Sequence, residues 1–272
     1  MDEVVVTYEC DGTVALIGLN RTAKRNALNQ ALERQLRAAA QRAHDEAKVG
    51  LIFSHGADFC AGLDLVEAAT WMDDPAERAR RRRRTFDRAF DDIARGPIPF
   101  VAAVSGACVG GGLELAVSCH VRVADETTFF ALPEGQRGIF VGAGGSVRIA
   151  RALGVERMTD LMLTGRVLTA EEGERYNLVQ YLVAKGGALE RAKSLAARIG
   201  ENAHLSNWAI VNCLPRIRDL SYDDGLFVER LVTGAVAGPE STERLKAFAE
   251  KRAKRLSAPG TSGDGRSATR EK

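Results

Sequence analysis

What the chain lacks narrows its function first. Its five cysteines (Cys10, Cys60, Cys108, Cys119 and Cys213) are odd in number and none stands in CxxC spacing. That pattern suggests neither a disulfide framework nor a zinc site, and reduced thiols are expected. No metal-ligand cluster and no flavin or nicotinamide fingerprint appears, so neither a metal nor a separate cofactor is expected. No apolar run approaches the length of a membrane span. The opening MDEVVVTYECDG is acidic, without the basic start and apolar core of a secretory signal, so a cytoplasmic location is expected. Net charge is only +2, and bulk electrostatics therefore call for no polyanionic partner. Internal repeats are missing too.

What is present reads as a globular chain with a sizeable core: 272 residues, 45% hydrophobic and 27% charged. Residues 3–9 and 13–19 are β-branched runs around Asp11-Gly12, the pattern of a hairpin. A helix is expected over 29–47 and a strand over 50–54, followed by a glycine-containing loop. A charged amphipathic helix is read over 64–95 with a break near Pro75, then a buried strand over 99–106. GACVGGGLELAVSC reads as a glycine turn feeding a helix, and VRVAD and TFFAL as two more short strands. From about residue 144 the pattern is largely helical, ending in a Gly/Ser/charged tail expected to be disordered. Strands alternating with helices, then helices alone, predict an α/β core with a helical extension.

Residues 99–145 carry the chemistry. Gly110, Gly111 and Gly112 fall between an expected strand and an expected helix. Such a turn leaves N–H groups free at the positive end of a helix, where a developing oxyanion is stabilised. The same glycines would also serve close strand–helix packing. The spacing of a GxGxxG dinucleotide motif is absent. Glu114, in the first turn of that helix among apolar neighbours, taken alone reads as a capping charge. Glu134, after Pro133 at the end of an apolar run, taken alone is an ordinary loop glutamate. Flanking one cleft, the two would bring water to one carbon and a proton to its neighbour. Spacing does not show that they converge.

At these residues the chain resembles the crotonase, or enoyl-CoA hydratase/isomerase, family. NRTAKRNAL, DFCAGLDL, GACVGGGLELAVSC, LPEGQRGIFVGAGGSVRIARALG, LTGRVLTAEEGERYNLV and AFAEKR match six family blocks in order, from about residue 14 to 253. The resemblance implies an α/β crotonase (ClpP-like) fold, a right-handed spiral of ββα units with a helical C-terminal trimerisation region. It places the spiral core over residues 1–195, the helical region over 196–256 and the tail over 257–272. It implies a lyase of fatty-acid type metabolism that adds water across the 2,3 double bond of an enoyl-CoA, with coenzyme A arriving as part of the substrate. The backbone N–H groups of Leu63 and Gly111 would form the oxyanion hole, Glu134 would be the main acid at C2 and Glu114 would help activate water. Gly142 matches a glycine whose backbone helps place that water. Coenzyme A would run along Lys24, Arg25 and Ala27, near Ala61 and Asp64, and Lys251 would reach a neighbouring subunit's cofactor phosphates. A homotrimer or a dimer of trimers, with no membrane or nucleic-acid partner, is the implied assembly.

Some positions depart from the family's commonest pattern. Thr22 and Val141 stand where proline is frequent, and His120 stands where an acid is usual. His120 reads as structural, since a lone histidine carries no mechanism, and Phe140 as lining for an acyl pocket. The run RARRRRRTFDR (78–88) reads as the solvated face of a helix whose stripe is Phe86, Phe90 and Ile93. Helical spacing places Arg82 and Arg83 above that stripe, near an acyl group or a phosphate. RNA binding through the basic helix is the reading of another class, opposed by Asp73, Asp74, Glu77, Asp87, Asp91 and Asp92 around it. Within the family the competitors are isomerase, decarboxylase and hydratase/retro-aldol lyase. Isomerases commonly need one of the two glutamate positions, so retaining both favours hydration. Residues 135–149 hold no aspartate for a dehalogenase nucleophile.

Overall fold

A computed structural model describes residues 3–77 and 87–252 of the chain. The arginine run at 78–84, Arg82, Arg83 and Phe86 therefore lie outside the described residues, as does the tail at 257–272. Contacts divide the chain into one unit over Met1–Asp219 and a second over Leu220–Lys272.

The first unit is built on a six-stranded sheet. Strands β1 (Val6–Asp11) and β2 (Val14–Leu19) form the expected hairpin, closed at Gly12, which takes φ +60°. β3 (Val49–Ser54), β4 (Phe100–Val104), β6 (Val121–Asp125) and β9 (Tyr181–Val183) then add in parallel, in the order β1-β2-β3-β4-β6-β9. Both faces are covered, so the central strands are apolar without a break, and alternate residues serve opposite cores. Phe100, Ala102 and Val104 of β4 join one core, while Val101 and Ala103 join the other.

Helix α1 (Gln30–Glu46) covers the first face. Asn29 caps it by accepting a hydrogen bond from Leu32 N at 2.9 Å, and Leu32, Leu36, Ala39, Ala40 and Ala43 make its buried stripe. The opposite face is covered by Ala188, Ala192, Leu195 and Ala196 of a helix over Ala188–Gly200. The expected 64–95 helix is represented by α2 (Leu65–Met72) and α3 (Asp87–Arg95), and Phe90 and Ile93 are fully buried.

A second, three-stranded sheet holds the local surprises. The apolar run after residue 99 serves two sheets: β4 ends at Val104, and Ala107–Val109, read as part of a glycine turn, forms β5. β5 pairs in parallel with β7 (Phe129–Ala131), which pairs antiparallel with β8 (Val167–Thr169). β8 and β9 interrupt the stretch read as largely helical. Helices α4 (Gly111–Ser118), α5 (Gly145–Leu153), α6 (Val155–Thr164), α7 (Ala170–Arg175), α8 (Ala188–Gly200) and α9 (His204–Ile217) complete the first unit. The second unit contains α10 (Tyr222–Val236), capped by the Ser221 hydroxyl accepting from Asp224 N at 3.2 Å, and α11 (Pro239–Ala249).

Candidate active site

The site forms where β5 runs into α4. Cys60 sits beside β5, its N–H donating to Ala107 O at 2.8 Å and its carbonyl accepting from Val109 N at 3.0 Å. Two residues later the same segment turns to Leu28, which donates to Gly62 O at 2.7 Å and accepts from Asp64 N at 2.9 Å. In a parallel bridge of this kind the residue between the two partners, Leu63, directs its own N–H the other way. On that side stands Gly111, and a methyl group built on it would lie 3.8 Å from Leu63 N. Gly111 is the first residue of α4, so its N–H is not used inside the helix and lies at the positive end of the helix dipole. The two expected oxyanion donors are thus neighbours.

One turn into α4, Glu114 is 5% exposed. Its Oε1 accepts from Ala143 N at 2.8 Å and Gly145 N at 2.9 Å. A Cβ on Gly145 would stand 2.5 Å from that oxygen, so glycine is what permits the approach. Burial pushes the Glu114 carboxyl above its ordinary value, and the backbone N–H groups of Gly145, Ala143 and Gly142, then Arg148, oppose the rise.

Glu134 opens the 3-10 turn Gly135–Arg137 and is also 5% exposed. Gly110, at φ +53°, brings the chain past it, and a Cβ there would lie 2.7 Å from Glu134 Oε1. Among the described residues, Glu134 Oε2 is buried with no hydrogen-bond partner. Burial pushes this carboxyl up to about 7; its own backbone N–H opposes the rise, and the neighbouring charge of Glu114 adds a smaller push upward.

Both carboxylates, Leu63, Gly111 and Gly142 line one cavity of about 520 Å³, within the range of small-ligand sites. Trp71, Phe90, Ile139 and Phe140 supply apolar wall. Ala61 and Asp64 belong to the same lining. Asp64 also caps α2, accepting from Val66 N and Glu67 N, and pairs with Arg21 at 2.7 Å.

Lys24, Arg25 and Ala27 are not in the lining, although Ala61 N donates to Arg25 O at 2.9 Å and ties their segment to the rim. The Arg25 guanidinium is engaged with both oxygens of Asp58 at 2.7 and 3.1 Å, and Asp58 Oδ1 also accepts from Ala107 N. That anchor between the 24–28 segment and β5 was not legible as a site feature. Lys251 falls in the second unit, just after α11, where its N–H donates to Phe248 O.

His120 lies outside this cavity. Its Nδ1 accepts from Phe100 N at 2.9 Å, and burial holds the ring's pKa down to about 4, which fits a neutral structural histidine. The buried thiols Cys60 and Cys119 are pushed up to about 12 by desolvation, so they are not poised as nucleophiles.

A family model described as Enoyl-CoA hydratase/isomerase matches residues 9–257. The Escherichia coli (strain K12) protein named 2,3-dehydroadipyl-CoA hydratase is 32% identical over 260 residues, covering 93% of this chain and 97% of its own. A Mycobacterium tuberculosis protein named "Probable enoyl-CoA hydratase echA8" is 35% identical over 251 residues, 91% of this chain and 96% of its own. Among solved structures, a Rhodopseudomonas palustris protein is 42% identical with a TM-score of 0.87, covering 92% of this chain and 96% of that one. The enoyl-CoA hydratase of Bacillus anthracis is 29% identical with a TM-score of 0.85, covering 93% and 98%.

Proposed function

This chain belongs to the enoyl-CoA hydratase/isomerase family with the crotonase fold, and we propose that its reaction is hydration of a 2,3-enoyl-CoA to the 3-hydroxyacyl-CoA. The observation that carries the reading is the pair of glutamates lining one cavity, one clasped by N–H donors and the other pushed up to about 7.

The thioester carbonyl would lie against Leu63 N–H and Gly111 N–H. One such donor contributes on the order of 3–4 kcal/mol to an oxyanion-like transition state. Ionised Glu114 would take a proton from water as it attacks C3. Protonated Glu134 would deliver a proton to C2. One ionised and one neutral carboxyl are needed, and like-charge repulsion in a buried pair favours that split. Gly142, beside the Glu114 clasp, would help seat the water. Coenzyme A would enter as part of the substrate, held by Ala61, Asp64 and the backbone around Lys24, Arg25 and Ala27, with Lys251 reaching the phosphates of coenzyme A bound by a neighbouring subunit.

Assembly into a trimer or a dimer of trimers is part of this reading. Exposed Ile210 and Leu214 on α9 and Phe227 and Leu231 on α10 support burial against further copies. Among the described residues no helix is long and apolar enough to cross a membrane. A cytoplasmic location is likewise a proposal.

The test is a panel of enoyl-CoA thioesters, with crotonyl, cinnamoyl and 2,3-dehydroadipyl members, followed by loss of the conjugated-thioester absorbance. Rapid loss with a 3-hydroxyacyl product, abolished by Glu114→Gln and by Glu134→Gln, is the expected result. Binding without turnover would move the assignment to an isomerase or another enolate-forming reaction of the family.

A further inference from the structure

Arg148, on the first turn of α5, has no task in the reaction as described, yet it stands directly behind the Glu114 clasp. Only 17% of its side chain is exposed. Its Nη2 donates to the Ala143 carbonyl, and its Nη1 pairs with Asp91 Oδ1 on α3 at 3.1 Å. Gly144, at φ +80°, carries no side chain, and a Cβ there would strike the guanidinium. Ala143 and Gly145, the two donors to Glu114, are the residues on either side of Gly144. The guanidinium therefore grips the turn between the two N–H groups that hold the carboxylate.

We propose that Arg148 is a positioning residue for the reaction: locked to Asp91, it fixes the 143–145 turn and through it the carboxylate of Glu114. Its catalytic consequence rests on the hydratase reading; its geometric part does not. Arg148 is absent from the lining of the glutamate cavity, so it acts through Glu114 and not on substrate. Its charge also favours ionised Glu114. The other groups around Glu114 are Glu134, in the lining of the same cavity, and Asp91, linked through Arg148. β5, packed on the same helix, carries only the Cys108 thiol, which burial keeps protonated.

Three variants test it: Arg148→Gln, Arg148→Lys and Asp91→Asn. Each is read by kcat on the best enoyl-CoA, by Kd for a saturated acyl-CoA, and by the titration of Glu114 in carbon-13 NMR, assigned with Glu114→Gln. Folded Arg148→Gln is expected to lose about 100-fold in kcat, the usual cost of a misplaced catalytic group, while binding acyl-CoA nearly as well. Glu114 should then titrate at higher pH. Arg148→Lys should recover part of the loss, because it restores the charge but not the two-pronged geometry.

Unchanged kcat and an unmoved Glu114 titration would overturn the proposal, and so would a Kd that weakens in step with kcat. If Arg148→Gln does not fold, Asp91→Asn decides, since the Asp91 side chain is 49% exposed and its replacement is mild. A raised Glu114 titration in that variant sustains the proposal, and an unmoved one ends it. A wild-type protein inert toward every enoyl-CoA would sink the hydratase reading alone, leaving the titration to judge Arg148.

Discussion

Glu114 and Glu134 are each 5% exposed, yet Glu114 meets two backbone N–H groups, whereas Glu134 keeps an oxygen without a partner among the described residues. Desolvation raises both carboxyls, so burial alone does not distinguish them. The donors do. Three N–H groups from the 142–145 turn stabilise the anion at Glu114, whereas Glu134 has its own backbone N–H alone, so the shared negative charge settles on Glu114. The lesson is that a backbone turn twenty-nine residues away in sequence selects which of two identical side chains carries the charge, and on the proposed reaction which is base and which is acid.

The strongest way to break this comparison is to neutralise each carboxyl. Glu114→Gln and Glu134→Gln should each lower kcat by about 1,000-fold, within the usual range for a general acid or base. The double variant should be little worse than either single one, because the pair acts as a unit. Steady-state assays on the best enoyl-CoA check this, and a single variant keeping most of the wild-type rate would remove its residue from the mechanism. Gly145→Ala comes next. Its methyl group would push Glu114 Oε1 from the clasp, and about a 100-fold loss in kcat is expected with acyl-CoA binding retained.

The pH dependence sharpens the same contrast. The proposed hydration requires protonated Glu134, and burial pushes its carboxyl up to about 7. The profile of kcat/KM, which reports the free enzyme, should therefore fall above about pH 7 by roughly tenfold per unit. Two coupled carboxyls share their apparent pKa values, so the limb belongs to the pair. A flat profile from pH 6 to 9 would contradict the assignment of Glu134 as acid.

Much of this arrangement was legible in the chain. The hairpin at Asp11-Gly12, α1 and the buried run of β4 are periodic or strongly apolar, and local pattern suffices for them. Ala107–Val109, Val167–Thr169 and Tyr181–Val183 have three residues each, too few to show a period. They are strands because partners reach them, as Phe130 does opposite Leu168. The six ordered blocks pointed to the two glutamates and the glycine turn, but the glutamates meet through the β5–β7 pairing, and Leu63 reaches Gly111 because residues 58–64 bridge Leu28 and β5. No local pattern encodes that closure. Arg25 shows a role that no local pattern announces: Asp58 holds its guanidinium and so ties the 24–28 segment to β5.

The smallest effect probes the comparison without any substrate. Glu134 titrates near 7 when folded against its model-compound value of 4.5, so the folded chain holds the extra proton between those values. Its contribution to stability is complete below about pH 4.5 and is lost as pH rises through about 7. Glutamine stays neutral throughout, so Glu134→Gln should match the wild type at pH 5 and exceed it at pH 8. The gain should be about 1–2 kcal/mol once partial access of water is allowed for. Urea unfolding at both pH values and one fixed protein concentration measures it. Glu114→Gln should gain less, because its anion already has N–H partners that an amide uses less well. Equal gains for the two variants would mean that the clasp does not favour one charge over the other, and the division into base and acid would fall with it.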